Sequence, residues 1–312
     1  MPTKRLWIIN QYATPPNLPG ITRHYSLGKH LVSRGWEVTV FTSNFRHETK
    51  EYFFPRLDRP SYMEVYDGVK FVFVNQKITY NSNSLDRIRN ILEFGRRVRE
   101  VLKQEGLRQR PDMLLGSSFH FLNAEVAFWA AQRFQAVPVL EVRDLWPEAL
   151  VYLRGLSERH PVVQLLAAWS RRLYRQGKGV VVLSRAIEKK IQSYFPNKPT
   201  LFLPNPVDLD LFSAESFREW DDLEPIKAMR KSAMQTRLLY IGTVGEANAF
   251  DTIWEAARQL KGEKVAFFVV GHGEKFETYK KRAEEEGLNM QFFRPVPKRA
   301  VPALLNEADG LV

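Results

Sequence analysis

An α/β fold with two Rossmann-like domains, the second incomplete, is what this sequence predicts. Three observations lead there. Short apolar runs alternate with helical patterns almost from end to end. The runs are rich in Val, Ile, Leu and Phe with little polar alternation. The pattern also breaks over 206–236 and restarts at 237. Strands buried on both faces have this composition, so parallel sheets covered by helices on each side are expected. The domain bounds that follow are 1–205, an interdomain connection with some helix at 206–236, and 237–312.

The first strand is expected at Leu6–Asn10, followed by a loop holding Pro15, Pro16, Pro19 and Gly20. A helix over 21–34 follows, with Ile21, Tyr25, Gly28 and Val32 at helical spacing and Gly35 as its stop. Further strands are expected at 36–43, 69–74, 112–118, 138–144, 179–184 and 200–205, with helices near 85–105, 122–135, 160–176 and 185–195. Ser184 is placed to cap the last of these, whose face is Ile187, Ile191 and Tyr194. Beyond the connection come strands at 237–244 and 265–271 and one centred on 291–296. A helix capped by Asp251 follows the first of them, a helix at 274–286 the second, and the helical pattern KRAVPALLNEA the third. DGLV then reads as the opening of another strand, which marks Val312 as an interior boundary of a longer domain.

The 312 residues, 44% hydrophobic and 26% charged, suit an ordinary globular chain. The absence of cysteine excludes a disulfide framework, thiolate zinc sites and a cysteine nucleophile. No signal-peptide core and no run of about 20 apolar residues is present, so a cytoplasmic protein is expected, free or at a membrane surface. Its net charge of +11 is uneven: residues 1–205 carry 31 Lys and Arg against 17 Asp and Glu, and residues 206–312 carry 15 against 18. The basic half suits an anionic partner, whether phospholipid, diphosphate or nucleic acid, or is simply a solvated basic surface.

Several strings could carry chemistry. Gly20 lies just before a helix, where bare backbone can approach an anion, or else closes an ordinary βα loop. In SSFHF, His120 follows a strand; a neutral imidazole there can bind a sugar hydroxyl or accept a proton, or simply pack. EVRDLWPEAL puts Arg143 and Asp144 at a strand end, Trp146 and Pro147 in a turn, and Glu148 after it. Arginine suits phosphate and tryptophan suits a sugar face, while an internal Arg–Asp pair is the structural alternative. In YIGTVGEAN and VVGHGEKF, Gly242, Gly245, Gly271 and Gly273 lie between strand and helix. Two such turns in one unit suit a nucleotide diphosphate held by backbone N–H groups, although glycine also simply ends strands. The stretch 85–106 is a basic amphipathic helix, suited to a membrane surface or to packing with a solvated basic face.

In that order, PPNLPGITRHYSLGKHLVSRGWEVTVFTS, PVLEVRDLWPEAL, VVLSRAIEKKI, LFLPNPVDLDLF, YIGTVGEANAFDTIWEAA and VVGHGEKFETYKKRAEEEGLNMQFFRPVPKRAVPALLNEADGLV resemble the family-4 retaining glycosyltransferases. The resemblance covers nearly the whole chain and is nearest to the branch serving capsule, colanic-acid or O-antigen polysaccharide synthesis. It implies the GT-B fold. The first domain would take the acceptor, often a lipid-linked sugar diphosphate at the inner face of a membrane, and the second the nucleotide sugar. By this resemblance Gly242, Gly245, Gly271 and Gly273 bind the donor, and the loop of Gly20 faces the acceptor side. Arg143, Asp144 and Glu148 belong to the acceptor side as well, and His120 matches a histidine near the transferred sugar. The donor is a substrate, so no cofactor is implied, and this fold type does not need a bound metal.

Three features depart from the family. Its paired glutamates, separated by seven residues, would fall beyond Val312. Glu246 and Asn248 stand in the loop where an Arg/Lys pair is common, and Pro19-Gly20 stands where two glycines are common. The expected function is retaining sugar transfer to a lipid-linked or polysaccharide-precursor acceptor. The rival is a non-catalytic, membrane- or partner-docking protein without a complete donor site. A nucleic-acid partner is not expected, because no recognised motif accompanies the basic charge.

Overall fold

The computed structural model describes residues 3–18, 20–47, 49–55, 58–81, 85–118, 120–207, 209, 212–245 and 248–312. The chain divides into two units, Met1–Pro206 and Val207–Val312.

In the first unit, β1 (Arg5–Ile9), α1 (Arg23–Val32) and β2 (Glu37–Ser43) make a βαβ crossover. The hairpin of β3 (Ser61–Tyr66) and β4 (Val69–Val74) follows, then α2 (Leu85–Arg108), β5 (Met113–Ser117), α3 (Phe121–Phe134) and β6 (Val137–Val142). The unit closes with α4 (Glu148–Arg154), α5 (Pro161–Gln176), β7 (Gly179–Val182), α6 (Arg185–Tyr194) and β8 (Thr200–Phe202). Its eight strands are ordered β3-β4-β2-β1-β5-β6-β7-β8. Alternate residues of β1 enter opposite cores. Trp7 and Ile9 pack with Phe41, Val72, Phe94, Val98 and Leu114; Leu6 and Ile8 pack with Val40, Phe71, Phe73 and Tyr25. Helices thus bury both faces of the central strand, which is why its sequence does not alternate.

The expectation of a wholly parallel sheet needs one correction. β3 runs antiparallel to β4, paired from Ser61↔Val74 to Tyr66↔Val69. Asp67 and Gly68, with φ of 46° and 81°, make the two-residue turn, and an Asp-Gly pair between strands is a hairpin signal in its own right. β3 lies on the sheet edge with Met63 and Val65 exposed, so it lacks the dense apolar run that marks the other strands.

The second unit holds α7 (Ala214–Arg218), α8 (Glu224–Lys231), β9 (Thr236–Thr243), α9 (Phe250–Gln259), β10 (Val265–His272), α10 (Phe276–Glu285), β11 (Met290–Phe293), α11 (Val301–Glu307) and β12 (Gly310–Leu311). Its parallel sheet is ordered β11-β10-β9-β12. One face packs Tyr240, Phe267 and Val269 against Phe250 and Trp254 of α9 and Phe276 and Tyr279 of α10. The other packs Leu239, Phe268 and Val270 against Ile226 and Met229 of α8 and Leu304 of α11. Of residues 206–236, expected as connection, Pro206 falls in the first unit and the rest in this one, where α8 supplies part of the core. DGLV forms β12 beside β9, where the Arg237 guanidinium donates twice to the Asp309 carboxylate at 2.8 and 3.0 Å.

Local chemistry accounts for some element ends. Ser184 accepts from the Ile187 N–H at 3.2 Å and starts α6 as expected. Pro302 is tolerated because it falls in the first turn of α11, where no N–H is needed. Asp251 does not cap α9. The N-cap is Ala249 in a left-handed conformation, and Asp251 is the second residue of the helix, accepting from the Tyr279 hydroxyl. No described helix is long and apolar enough to cross a membrane.

Candidate functional site

In the first sheet β1 is flanked by β2 and β5, and the connections leaving these strands run in opposite directions along the sheet. In open α/β sheets ligands bind beyond the carboxyl ends of the strands at such a reversal. The loops after β1 and β5 meet there. Gly20 lies in the first, a loop closed at its base by a bridge between Ala13 and Ile21 and by the Thr14 N–H bonded to the Ile21 carbonyl at 3.0 Å.

His120 stands at the N-cap of α3, buried, with Nε2 2.6 Å from Gln11 Oε1. The amide of Gln11 is oriented by donating Nε2–H to Asn90 Oδ1 at 2.7 Å, and Asn90 in turn donates to the Ile78 carbonyl. Gln11 Oε1 therefore accepts, and the ring proton sits on His120 Nε2. Burial, helped by the Arg87 charge, lowers the imidazole pKa from 6.5 to about 3, so the ring is neutral near pH 7. Gln76 continues the network, donating to the Asn90 carbonyl at 2.6 Å and accepting from Ser43 Oγ at 2.5 Å. A neutral, oriented histidine amid amide groups can hydrogen-bond a hydroxyl; it cannot act as a cation.

Beside this network lies a second one that the sequence reading did not name. Glu141, on β6, is wholly buried and receives Arg23 Nε at 2.8 Å, His24 Nε2 at 2.7 Å and Ser117 Oγ at 2.6 Å. Burial alone would raise its pKa; the His24 ring, the Arg23 charge and the Ser117 hydroxyl instead hold it well below the usual carboxylate range. The Asn10 side-chain amide accepts from the Tyr12 N–H and presents Nδ2 to His24 Nδ1 at 3.2 Å, which leaves the His24 Nε2 proton for Glu141. Arg23 also donates to the carbonyls of Pro204 at 2.5 Å and Leu203 at 2.8 Å, just past β8. One signal for this cluster stood in the sequence: a carboxylate inside the apolar strand run PVLEVRD. Carboxylates are almost never fully buried unless paired.

Arg143 and Asp144 follow β6 on the same edge as His120. The Arg143 N–H donates to Ser118 Oγ at 3.3 Å, and its Nε is buried without a hydrogen-bond partner. No ion pair joins Arg143 to Asp144 among the described residues, and Asp144 is exposed. Glu148 begins α4 and is paired with Lys190 at 3.2 Å, on the far side of the WPE turn. The edge thus gathers Gly20, His120, Arg143 and Asp144 along successive strand ends, while Glu148 pairs through Oε1 with α6 and keeps Oε2 buried without a hydrogen-bond partner among the described residues.

In the second unit, Gly242 and Gly271 are register partners on β9 and β10. A Cβ on Gly271 would lie 1.9 Å from the Gly242 carbonyl oxygen. Gly273 has φ 151°, and a Cβ there would lie 2.2 Å from the Val244 carbonyl oxygen. The close approach of two βα turns therefore requires glycine at both positions. Gly245 is buried, and a Cβ there would meet nothing nearer than the Glu274 side chain at 3.9 Å. Asn248 Nδ2 donates to the Thr243 carbonyl at 2.6 Å, while Glu246 lies outside the described residues, as does Pro19 in the first unit. The described residues hold no group of three or more His, Cys, Asp or Glu that could bind a metal.

The profile of the Glycosyl transferase 4-like domain matches residues 20–206, and that of Glycosyl transferases group 1 matches residues 224–312. A curated relative, the putative colanic acid biosynthesis glycosyl transferase WcaI of Escherichia coli (strain K12), is 28% identical over 212 residues, which is 65% of this chain and 50% of that protein. The chain thus spans about half the length of the curated relative it matches. Among solved structures, an alpha,alpha-trehalose-phosphate synthase (UDP-forming) from Burkholderia vietnamiensis has a TM-score of 0.64 at 10% identity, over 99% of this chain and 76% of that one. HepE of Anabaena, in complex with UDP and glucose, has a TM-score of 0.57 at 13% identity, over 99% and 73%. These two Rossmann-like units define a GT-B glycosyltransferase fold. The chain belongs to the Glycosyl transferase 4-like family.

Proposed function

We propose that this protein transfers a sugar, with retention of configuration, from a nucleotide diphosphate sugar to a lipid-linked or polysaccharide-precursor acceptor. The observation that carries the proposal is the turn pair of the second unit. Gly271 and Gly273 bring two strand-to-helix turns so close that no side chain fits, which leaves bare backbone ahead of α10. Backbone N–H groups and helix N-termini bind phosphate and stabilise charge on a leaving diphosphate without a metal. Support for the donor comes from HepE, a protein of like fold bound to UDP and glucose, and support for the acceptor from the colanic acid relative. In the first unit, His120, held neutral by burial and oriented by Gln11, takes a hydroxyl of the transferred sugar or acceptor. Gly20, Arg143 and Asp144 line the acceptor side of the same edge.

The test is calorimetric titration of the chain with UDP, GDP and dTDP, followed by incubation with the matching nucleotide sugar and a polyprenyl-diphosphate sugar. One nucleoside diphosphate should bind, and the product anomer should match the donor's. Failure of all three to bind removes the donor assignment; an inverted anomer removes retention. His120→Ala should lower turnover about tenfold, the worth of one hydrogen bond to a hydroxyl, with nucleotide binding unchanged.

The acceptor-side unit is proposed to work at the inner face of a membrane. Leu85, Ile88 and Leu92 form an exposed stripe on α2, 70%, 55% and 58% accessible, with Arg89 and Arg96 beside them. Sedimentation with vesicles containing anionic lipid should pull down the native chain. Leu85→Ser/Ile88→Ser/Leu92→Ser should remain in the supernatant if that stripe is what inserts.

A further inference from the structure

The two edges of the first sheet are treated differently. β8 is three residues long and runs on to Pro204 and Pro206, and the β11 edge of the second sheet is four residues long and runs on to Pro295 and Pro297. Short strands and prolines keep the outer backbone groups of a sheet from pairing with another chain. β3 has neither protection. Its six residues, Ser61–Tyr66, contain no proline and no lysine and keep an unbroken register on β4. It lies at the opposite end of the sheet from β8, after which the chain passes into the second unit.

The ladder with β4 fixes which backbone groups of β3 face away from the sheet. The Asn75 N–H donates to the Pro60 carbonyl at 2.9 Å, one step beyond the Ser61↔Val74 pair. Hydrogen-bonded and non-hydrogen-bonded pairs alternate along an antiparallel ladder, so Tyr62, Glu64 and Tyr66 direct their main-chain groups at β4. The N–H and C=O groups of Ser61, Met63 and Val65 therefore point outward. Among the described residues no backbone group of another element bonds to them. The side chains agree with the backbone. Met63 and Val65 share one face of the strand and are 60% and 56% exposed. The one charged residue, Glu64, lies on the other face, where its carboxylate accepts from the Tyr66 hydroxyl.

We propose that β3 is the contact between two copies of this chain, paired antiparallel across a two-fold axis so that their first sheets become one. Met63 lies opposite the partner's Met63, Ser61 opposite the partner's Val65, and Tyr62 opposite the partner's Glu64. In this register every outward residue meets an outward residue, and each such pair exchanges two main-chain bonds. A shift of two residues one way sets Glu64 directly against the partner's Glu64, where like charges repel. The same shift the other way carries Val65 past the end of the partner's strand. A two-fold contact is self-complementary and closes at two chains, so the edge is consumed and no filament grows. A strand pair covers less surface than a standard interface, so the dimer forms only as concentration rises. The pairing is independent of which ligands the two sheets bind.

The experiment is sedimentation velocity of the whole chain from about 1 to about 200 μM, the range in which small interfaces associate. The sedimentation coefficient should rise with concentration from that of one chain to that of two. Met63→Pro removes an outward N–H and no bond to β4, and Met63→Lys sets like charges opposite each other at an exposed position. Both should stay monomeric over the whole range with unchanged far-UV circular dichroism; if Met63→Pro does not fold, Met63→Lys decides alone. Disulfide capture reads the register, because the chain has no cysteine of its own. Oxidised Met63→Cys should give a covalent dimer and Glu64→Cys should not, since the two copies of residue 63 face each other while those of residue 64 are offset beyond disulfide reach. A chain that stays monomeric throughout overturns the proposal, and so does a dimer that survives in folded Met63→Lys. Capture through Glu64→Cys in place of Met63→Cys overturns the register.

Discussion

The carboxyl edges of the two sheets are built on opposite plans. At the first, nearly every strand end carries a polar side chain with a named partner: Gln11 with Asn90 and His120, Ser117 with Glu141, Ser43 with Gln76. At the second, the defining residues are glycines whose missing side chains make room for the backbone across the turn. A side-chain edge can be tuned group by group to distinguish hydroxyl patterns and charges. A backbone edge offers N–H groups that do not vary with sequence, which suits a phosphate, the same in every nucleotide donor. The contrast is consistent with one unit facing a variable acceptor and the other a conserved diphosphate.

The contrast can be broken most directly at Glu141. Glu141→Ala should destabilise the first unit by about 3–5 kcal/mol, because the Arg23 charge stays buried without its partner. Hydrogen exchange should quicken in β1, β5 and β6 and stay unchanged in the second unit. The double variant Arg23→Met/Glu141→Leu should recover much of the loss; no recovery would mean the network matters for more than its charges. Gly271→Ala should cost about 3 kcal/mol in the second unit through overpacking against Gly242, with faster exchange in β9 and β10 and weaker nucleotide binding.

Acid should separate the units further. Groups whose folded pKa is depressed stabilise the protein above their unfolded value and lose that contribution as pH falls. For His120, depressed from 6.5 to about 3, the loss runs between those values and is on the order of 3 kcal/mol by pH 4. His47, depressed from 6.5 to about 4, adds to it, and Glu141 adds a further loss below its ordinary value of 4.5. Exchange followed from pH 7 to pH 4 should show the first unit opening well before the second; simultaneous opening would remove the buried histidines as the cause. The smallest effect is expected at Gly245→Ala, about 1 kcal/mol or less in chemical denaturation, because a Cβ there would meet nothing nearer than 3.9 Å.

What the sequence made legible follows the same division. Strands buried on both faces read as apolar runs, so residues 69–74 and 179–184 lie on or within two residues of β4 and β7. The glycine turns were legible because a glycine between strand and helix is a local signal. The edge strand β3 was missed for lack of such a run, although Asp67-Gly68 announced its hairpin. The polar networks were mostly illegible. Gln11 and Asn90 are 79 residues apart, and Glu141 meets Arg23 across 118, so their partnership exists only once the sheet has formed. His120 was visible as a histidine after a strand; its neutrality came from burial and from Arg87, which no local pattern records.

The bonds from Arg23 to the carbonyls of Leu203 and Pro204 bear on how the first unit is made. The guanidinium emerges early in synthesis, and its carbonyl acceptors follow 180 and 181 residues later. Until then Arg23 can meet Glu141, but the N–H groups of its two terminal nitrogens must stay in water, since burying them unpaired costs about 1–3 kcal/mol each. The core around β6 therefore cannot seal before β8 has been added to the sheet edge. A chain halted before residue 203 should leave the ribosome with most of its strands made and this corner still wet.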